Sequence, residues 1–238
     1  TVSDSTITYG NENAFNEAAT SYTSVSSLDS THFVAAYQDE GNSNYGTAVI
    51  GTVSDSTITY GNENAFNEAD TSYTSVSSLG STHFVVAYRD SDGNGRTRVG
   101  SVSGSTITYG GEVAFNEAAT VNVSISDLDS THFVVAYQDD GNSHYGTARI
   151  GEVSDTTVDF SKSNEDVFNS AGDLIGTAFI SVSNLSSDKF VVVYVDATTV
   201  EQEPGTGIIG QASQQEMGNP VPEFTIVTIV IAAVAGLA

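Results

Sequence analysis

The sequence predicts an all-β fold of repeated antiparallel sheets, on three observations. A block of about fifty residues is written four times: THFVAAYQD at 31–39 returns as THFVVAYRD at 82–90 and THFVVAYQD at 131–139, with a worn copy, DKFVVVYVD, at 188–196. The anchoring Phe33, Phe84, Phe133 and Phe190 stand 51, 49 and 57 residues apart. A second marker, STITYG, occurs at 5–10, 56–61 and 105–110 and decays to TTVDFS at 156–161. Third, the repeats are short apolar or Ser/Thr/Val runs cut by Asp, Asn and Gly turns, with no sustained 3.6-residue period. A fixed period in this range marks an array, a propeller or a solenoid.

One repeat, 20–69, shows the elements in order. TSYTSVSSL (20–28) reads as a strand ending at the turn pair Asp29-Ser30. Residues 32–39 are apolar on both faces, as in a strand held between neighbouring sheets. EGNSNYG (40–46) is a Gly/Asn turn, and TAVIGTVS (47–54) a third strand in which Gly51 signals a bend or close packing. After a tight turn at Asp55-Ser56, TITYG (57–61) alternates Ile and Tyr against Thr. NENAFNEA (62–69) is too short and Asn-rich for a stable helix and reads as a link to the next unit, with Phe66 free to plug an interface.

Four short antiparallel strands per repeat is the composition of a propeller blade. The expected architecture is therefore a β-propeller of four-stranded antiparallel blades, about four in this chain, either as a ring or as part of a larger propeller. A β-sandwich array is the rival. The units fall near 20–69, 70–119, 120–170 and 171–212, with 1–19 completing the last blade by pairing 6–10 beside 205–212. Residues 1–18 match 52–69 residue for residue, so the chain opens inside a repeat and is expected to belong to a longer one. The string SVSSLDSTHFVVAYQDxGNSxYGTAxIG resembles the β-propeller repeats of archaeal and bacterial surface proteins, over residues 1 to about 210.

Composition narrows the partners. Thirty acids face six Lys and Arg, a formal net charge of −24. Nucleic acid is excluded as a partner, because phosphate contact needs basic residues. The acids are scattered through the repeats, which argues against a disordered acidic tail. There is no cysteine, so core and strand ladders must hold the fold without disulfides or thiolate metal sites.

The C-terminus changes character. A polar linker (213–223) leads to an apolar segment, 224–238, with no charge. As a helix it would span about 22 Å, short of the roughly 30 Å hydrocarbon core. A buried strand or helix is the other reading. Pro222-Glu223-Phe224 followed by this run resembles the PEF-type C-terminal sorting signal of archaeal surface proteins. The resemblance implies a membrane or sorting segment that is removed as the protein is attached to lipid. The longer helix and basic end of that signal are missing here.

Candidate chemistry is sparse. Asp39, Asp90, Asp139 and Asp196 recur two residues after a tyrosine, and 90–95 (DSDGNG) resembles the front of an acidic calcium loop. Asp90, Asp92 and Asn94 are the calcium candidates, and calcium is the one cofactor considered. Hairpin turns account for the same residues. His32, His83 and His132 recur at the head of one strand, too far apart for a shared metal, and read as packing on a neighbour. Asn122 and Asn184 head N-glycosylation sequons. No nucleophile elbow, P-loop or GxGxxG motif occurs.

These features lead to the expectation of a non-enzymatic, extracellular, surface-anchored propeller serving as a structural or adhesion module. Its partners would be a cell-surface glycan or protein or copies of itself, and the membrane through its tail. The rivals are a subunit of a surface layer or filament, and a carbohydrate-active enzyme using the central funnel. Asymmetry separates them: an enzyme needs non-repeated polar residues converging at the axis.

Overall fold

The computed structural model describes residues 8–170, 176–197 and 205–212. Each repeat forms one antiparallel sheet. The first holds β1 (Thr20–Ser27), β2 (His32–Asp39), β3 (Tyr45–Ser54), β4 (Thr57–Tyr60) and β5 (Asn64–Asp70). The second holds β6 (Ser72–Ser78), β7 (His83–Arg89), β8 (Gly95–Ser103), β9 (Thr106–Tyr109) and β10 (Val113–Asn116). The third holds β11 (Thr120–Asp127), β12 (His132–Asp139), β13 (Tyr145–Ser154), β14 (Thr157–Asp159) and β15 (Asp166–Asn169). The fourth holds β16 (Gly176–Ser186), β17 (Lys189–Ala197) and β18 (Gly205–Gln211). In the first sheet the order is β1-β2-β3-β4, and β5 also pairs with β3.

The outer edge corrects one expectation. Residues 64–70 are not a link but a strand. β4 covers one half of β3 (Gly51↔Tyr60 to Ser54↔Thr57) and β5 the other (Ala48↔Asn64 to Tyr45↔Asp70). The fourth strand of the blade is thus one interrupted strand. Its second piece carries the plug that the sequence located: Phe66 is fully buried, with its ring 5.0 Å from that of Tyr88 in the next sheet. The same contact recurs as Phe15–Tyr37, Phe115–Tyr137 and Phe168–Tyr194, at 5.0, 4.9 and 5.2 Å.

In each of the first three blades two glycines make room for two aromatic rings. Phe33 and Gly51 face each other across the β2–β3 ladder, and a Cβ on Gly51 would lie 2.2 Å from the Phe33 ring. A Cβ on Gly46 would lie 2.3 Å from Phe66, and one on Gly95 2.3 Å from Phe115. At the matching position of the fourth sheet, Gly205 has nothing within 4 Å. The contrast gives an expected result. Alanine should cost about 1–3 kcal/mol at Gly95, because a central strand and a fully buried ring cannot both retreat. At Gly205 it should be neutral or stabilising by about 0.4–1 kcal/mol. Urea denaturation of the two variants checks this.

The innermost strands β1, β6, β11 and β16 lie side by side in chain order. Their inner edges would leave backbone N–H groups unpaired. Serine hydroxyls of the preceding sheet take them up: Val76 N–H donates to Ser24 Oγ (3.1 Å) and Ser78 N–H to Ser26 Oγ (3.0 Å). Ser75 and Ser77 accept likewise from Ile125 and Asp127, and Ser124 and Ser126 from Val182 and Asn184. The Ser-x-Ser spacing of the inner strand thus fastens each sheet to the next. Cores of Val, Ala, Phe and Tyr fill the spaces between successive sheets.

Residues 1–7, which hold the first two residues of the strand expected at 6–10, lie outside the described residues. Residues 10–15 pack on the first sheet: Asn11 N–H donates to the Ser56 carbonyl (3.0 Å), and Phe15 lies against Tyr37 and Tyr60. Among the described residues β17 is the sole strand partner of β18. No helix among the described residues is long and apolar enough to cross a membrane.

Candidate functional site

At the start of every inner strand the ladder slips by a bulge, between Ser21 and Ser24, Ser72 and Ser75, Val121 and Ser124, and Ala178 and Ser181. Within each bulge one residue is left-handed: Tyr22 (φ 50°), Tyr73 (52°), Asn122 (53°) and Phe179 (50°). None is glycine, so each conformation costs on the order of 1–3 kcal/mol that its surroundings must offset. Three of the four are aromatic. Tyr22 is 43 % and Phe179 76 % exposed, and the rings of Tyr22 and Tyr73 stand 5.3 Å apart. The bulges set a row of ring-bearing residues along one rim of the inner strands.

The repeats, nearly interchangeable elsewhere, diverge at this rim. Asn122 replaces the aromatic residue in the third sheet and donates through Nδ2 to Gln138 Oε1 (2.7 Å). Where the first and third repeats have Gln38 and Gln138, the second has Arg89, in register with Ser72 beside Tyr73. Where the neighbouring repeats have Ala19 and Ala119, the second is preceded by Asp70, which accepts from Gln38 Nε2 (3.0 Å). The Arg89 guanidinium has no ion-pair or hydrogen-bond partner among the described residues, although the chain carries thirty acids. Arg96, by contrast, lies against Asp90, Glu112 and Glu117. Glu40 adds a second carboxylate at the rim of the first sheet, where it accepts from Ser21 Oγ (2.5 Å).

The residues singled out in the sequence have other work. Asp39 and Asp139 are buried at the head of 3-10 turns and accept from Gly41 and Gly141 N–H, both at 3.0 Å. Asp196 accepts from Asn169 Nδ2 (3.4 Å). The Asp90 carboxylate takes the N–H groups of Asp92 (2.9 Å) and Asn94 (2.8 Å) and the Arg96 guanidinium (2.7 Å). Burial pushes its pKa up, but Arg96 and Asn94 outweigh that and hold it low. Asp90, Asp92 and Asn94 thus build a turn around Arg96. Among the described residues no three His, Cys, Asp or Glu side chains are grouped to hold an ion. Asn184 lies in β16 and is exposed, whereas the Asn122 amide is engaged. Pro222, Glu223 and Phe224 lie outside the described residues.

His32 and His132 are held by their own turns, whereas His83, whose repeat has Gly80 in place of the aspartate, brings Nε2 to 3.9 Å from Asp155 at the β13–β14 turn of the third sheet. Asp29 accepts from Thr31 N–H (2.7 Å) and His32 N–H (2.8 Å), and His32 Nδ1 lies 2.9 Å from its second oxygen. Asp129, Thr131 and His132 repeat the motif. The Thr31 N–H, with His32, holds Asp29 down to about 2 from an ordinary 3.8. At Asp129 burial pushes up, but Thr131 and His132 outweigh it. A carboxyl with a depressed folded pKa contributes stability that is present above its unfolded pKa and lost as pH falls through the folded one. Between about pH 4 and pH 2 the D29N/D129N double variant should therefore lose less melting temperature than the parent. Comparison with the parent isolates the effect, since burial raises Glu165 and Asp166 and these act in the opposite sense.

The bladed sheets, their inner-strand order and the aromatic packing between them define a β-propeller. No family model matches the chain, and no curated protein matches it. Solved structures do. A protein of unknown function from Dyadobacter fermentans aligns with TM-score 0.58 at 16% identity, over 75% of this chain and 50% of its own. An exo-β-1,3-galactanase from Phanerochaete chrysosporium, solved with β-1,3-galactotriose, aligns with TM-score 0.54 at 13% identity, over 92% of this chain and 53% of its own. A sialidase from Streptococcus pneumoniae aligns with TM-score 0.51 at 15% identity, over 75% and 28%. The chain therefore spans about half or less of these structures. The likeness corrects the expectation of a non-enzymatic structural or adhesion module: the galactanase and the sialidase, which share this fold, are glycosidases. Nor are the repeats interchangeable throughout, since Asp70, Arg89 and Asn122 break the repeat at the rim of the inner strands.

Proposed function

We propose that this is a carbohydrate-active β-propeller that takes a glycan at the bulged rim of its inner strands. The observation that carries the reading is the meeting of non-repeated polar residues (Asp70, Arg89, Asn122) with a row of aromatic residues, of which Tyr22 and Phe179 are exposed and Tyr73 is half-buried. Aromatic faces stack on the apolar faces of sugar rings, while amide, guanidinium and carboxylate groups bond to hydroxyls. Glycoside cleavage uses a pair of carboxylates, and Asp70 and Glu40 are the pair proposed at this rim; Asp140, the copy of Glu40 in the third sheet, lies against His144. The fold likeness to glycosidases supports the same class.

The test is incubation with a panel that includes β-1,3-galactan and sialyllactose, read by mass spectrometry of products and by calorimetric binding. The Y22A/Y73A variant should weaken binding about tenfold or more, at roughly 0.5–1.5 kcal/mol for each aromatic contact. A chain that neither binds nor cleaves any glycan of the panel, or one whose binding ignores both tyrosines, defeats the proposal.

We further propose that it works outside the cell, tethered through 224–238 behind Pro222-Glu223-Phe224. The resemblance of that tail to a sorting signal supports this. Intact-mass analysis of protein from its own cells would show the tail removed near Pro222. A soluble mature protein ending at Ala238 would overturn the tether.

A further inference from the structure

Four of the six Lys and Arg side chains are engaged: Arg96 and Lys162 by carboxylates, Arg98 and Arg149 by backbone carbonyls. Lys189 stands exposed at the start of β17. Arg89 is the exception at the rim. It is half-buried, and its guanidinium has no partner among the described residues. Asp90 and Glu117, acids close to it along the chain, both lie against Arg96.

The repeat shows what would ordinarily face this position. In the first repeat Gln38 Nε2 donates to Asp70 Oδ1 (3.0 Å), a carboxylate placed just ahead of the second sheet. Arg89 is the copy of Gln38, and the copy of Asp70 ahead of the third sheet is Ala119. The Arg89 side chain still lies by that seat. Its Nη2 is 3.5 Å from where a Cβ on Gly93 would stand, and the Gly93 carbonyl accepts the N–H of Thr120, the residue after Ala119, at 2.9 Å. Ala119 is exposed, so the seat opens to solvent. The second and third sheets thus set a guanidinium beside a carboxylate position and place a methyl group there.

We propose that the glycan taken at this rim carries an anionic group, a carboxylate or a sulfate, and that this group sits beside Ala119 in the grip of Arg89. The inference rests on the glycan reading above and names the class of glycan. A guanidinium presents paired N–H donors that match two oxygens of either group, and such charge-assisted bonds are roughly twice as strong as neutral ones. Tyr73 lies in the bulge next to Ser72, the residue in register with Arg89, and offers a ring face to the sugar that bears the charge. Asp70 and Glu40 belong to the first sheet, so the anionic group lies away from them. The net charge of −24 opposes an anionic ligand at long range, but salt at about 0.15 M screens it over roughly 8 Å and leaves the direct contact.

Titration calorimetry of the full chain at about 0.15 M salt tests this with two matched pairs of probes. One pair is an oligogalacturonate and its methyl ester, the other a sulfated galacto-oligosaccharide and its desulfated form. The parent should bind at least one acidic form about tenfold or more tightly than its neutral partner, as a charge-assisted hydrogen bond provides. The pair that shows the preference tells carboxylate from sulfate. Arg89→Gln installs the residue of the sister repeats, so the melting temperature should hold while the acidic and neutral forms come within about threefold of each other. Ala119→Asp supplies the missing carboxylate from within. It should abolish the same preference and leave binding of the neutral form within about threefold of the parent. Equal binding of acidic and neutral forms by the parent overturns this proposal and leaves the glycan reading standing. A preference for the acidic form that survives either substitution also overturns it. A parent that binds none of the four probes overturns both.

Discussion

Phe115→Ala is expected to cost about 3–5 kcal/mol, a large part of the stability of a domain this size. Phe115 is fully buried, its ring 4.9 Å from Tyr137 of the third sheet and seated over Gly95 of the second. The ring fills a space that exists because Gly95 has no side chain. Removing it leaves a cavity walled by two ladders, and neither can move inward without breaking its own hydrogen bonds. Incomplete collapse of this kind puts large-to-small changes at the costly end of their range. Urea denaturation should show a lower midpoint with an unchanged slope. Phe179→Ala is the control. That ring is 76 % exposed and its stability change should stay within about 0.5 kcal/mol.

How much of this was legible in the sequence depends on how local each feature is. The middle strand, residues 32–39, was legible because an apolar run on both faces has one explanation in a sheet protein. Phe66 was legible as a plug, but not as part of a strand. NENAFNEA has no alternation of its own, and its pairing is decided by the half of β3 that β4 leaves open, which is a non-local fact. Gly51 was legible as close packing, though not which ring packs there. His32 and His132 were misassigned although the signal was present, since Asp-Ser-Thr-His can close a turn on its own aspartate; His83, preceded by Gly80, does face the neighbouring sheet.

The candidate site was the least legible part, for a physical reason. Residues that repeat, such as Asp39 and Asp139, mark what builds the blade. The rim is marked instead by departures from the repeat: Asp70 for alanine, Arg89 for glutamine, Asn122 for an aromatic residue. Those departures are visible in the sequence once the repeats are aligned. The left-handed bulges beneath them are not. Tyrosine and phenylalanine do not favour positive φ, so nothing local in TSYTSV announces that Tyr22 and Tyr73 adopt it.

Asp70→Asn should separate a carboxylate that acts on a glycan from one that only shapes the rim. The substitution is nearly isosteric, and the asparagine carbonyl can still accept from Gln38 Nε2, the contact that now holds Asp70. Asp70 is exposed, and no other side chain depends on its charge for an ion pair among the described residues. Stability should therefore change by less than about 0.5 kcal/mol. Turnover of a glycan that the parent cleaves should fall about 10²–10⁴-fold, the usual contribution of a positioned proton-transfer group. Binding should stay within about threefold, because Tyr22, Tyr73 and Arg89 are untouched. Glu40→Gln is the companion variant. If Glu40 is the second carboxylate of the pair, it too should reduce turnover far more than affinity. Should D70N retain parental turnover while E40Q loses it, the proton-transfer role passes to Glu40 and the assignment of Asp70 falls. Loss of binding and turnover in equal measure would instead make Asp70 a contact for the ground-state glycan.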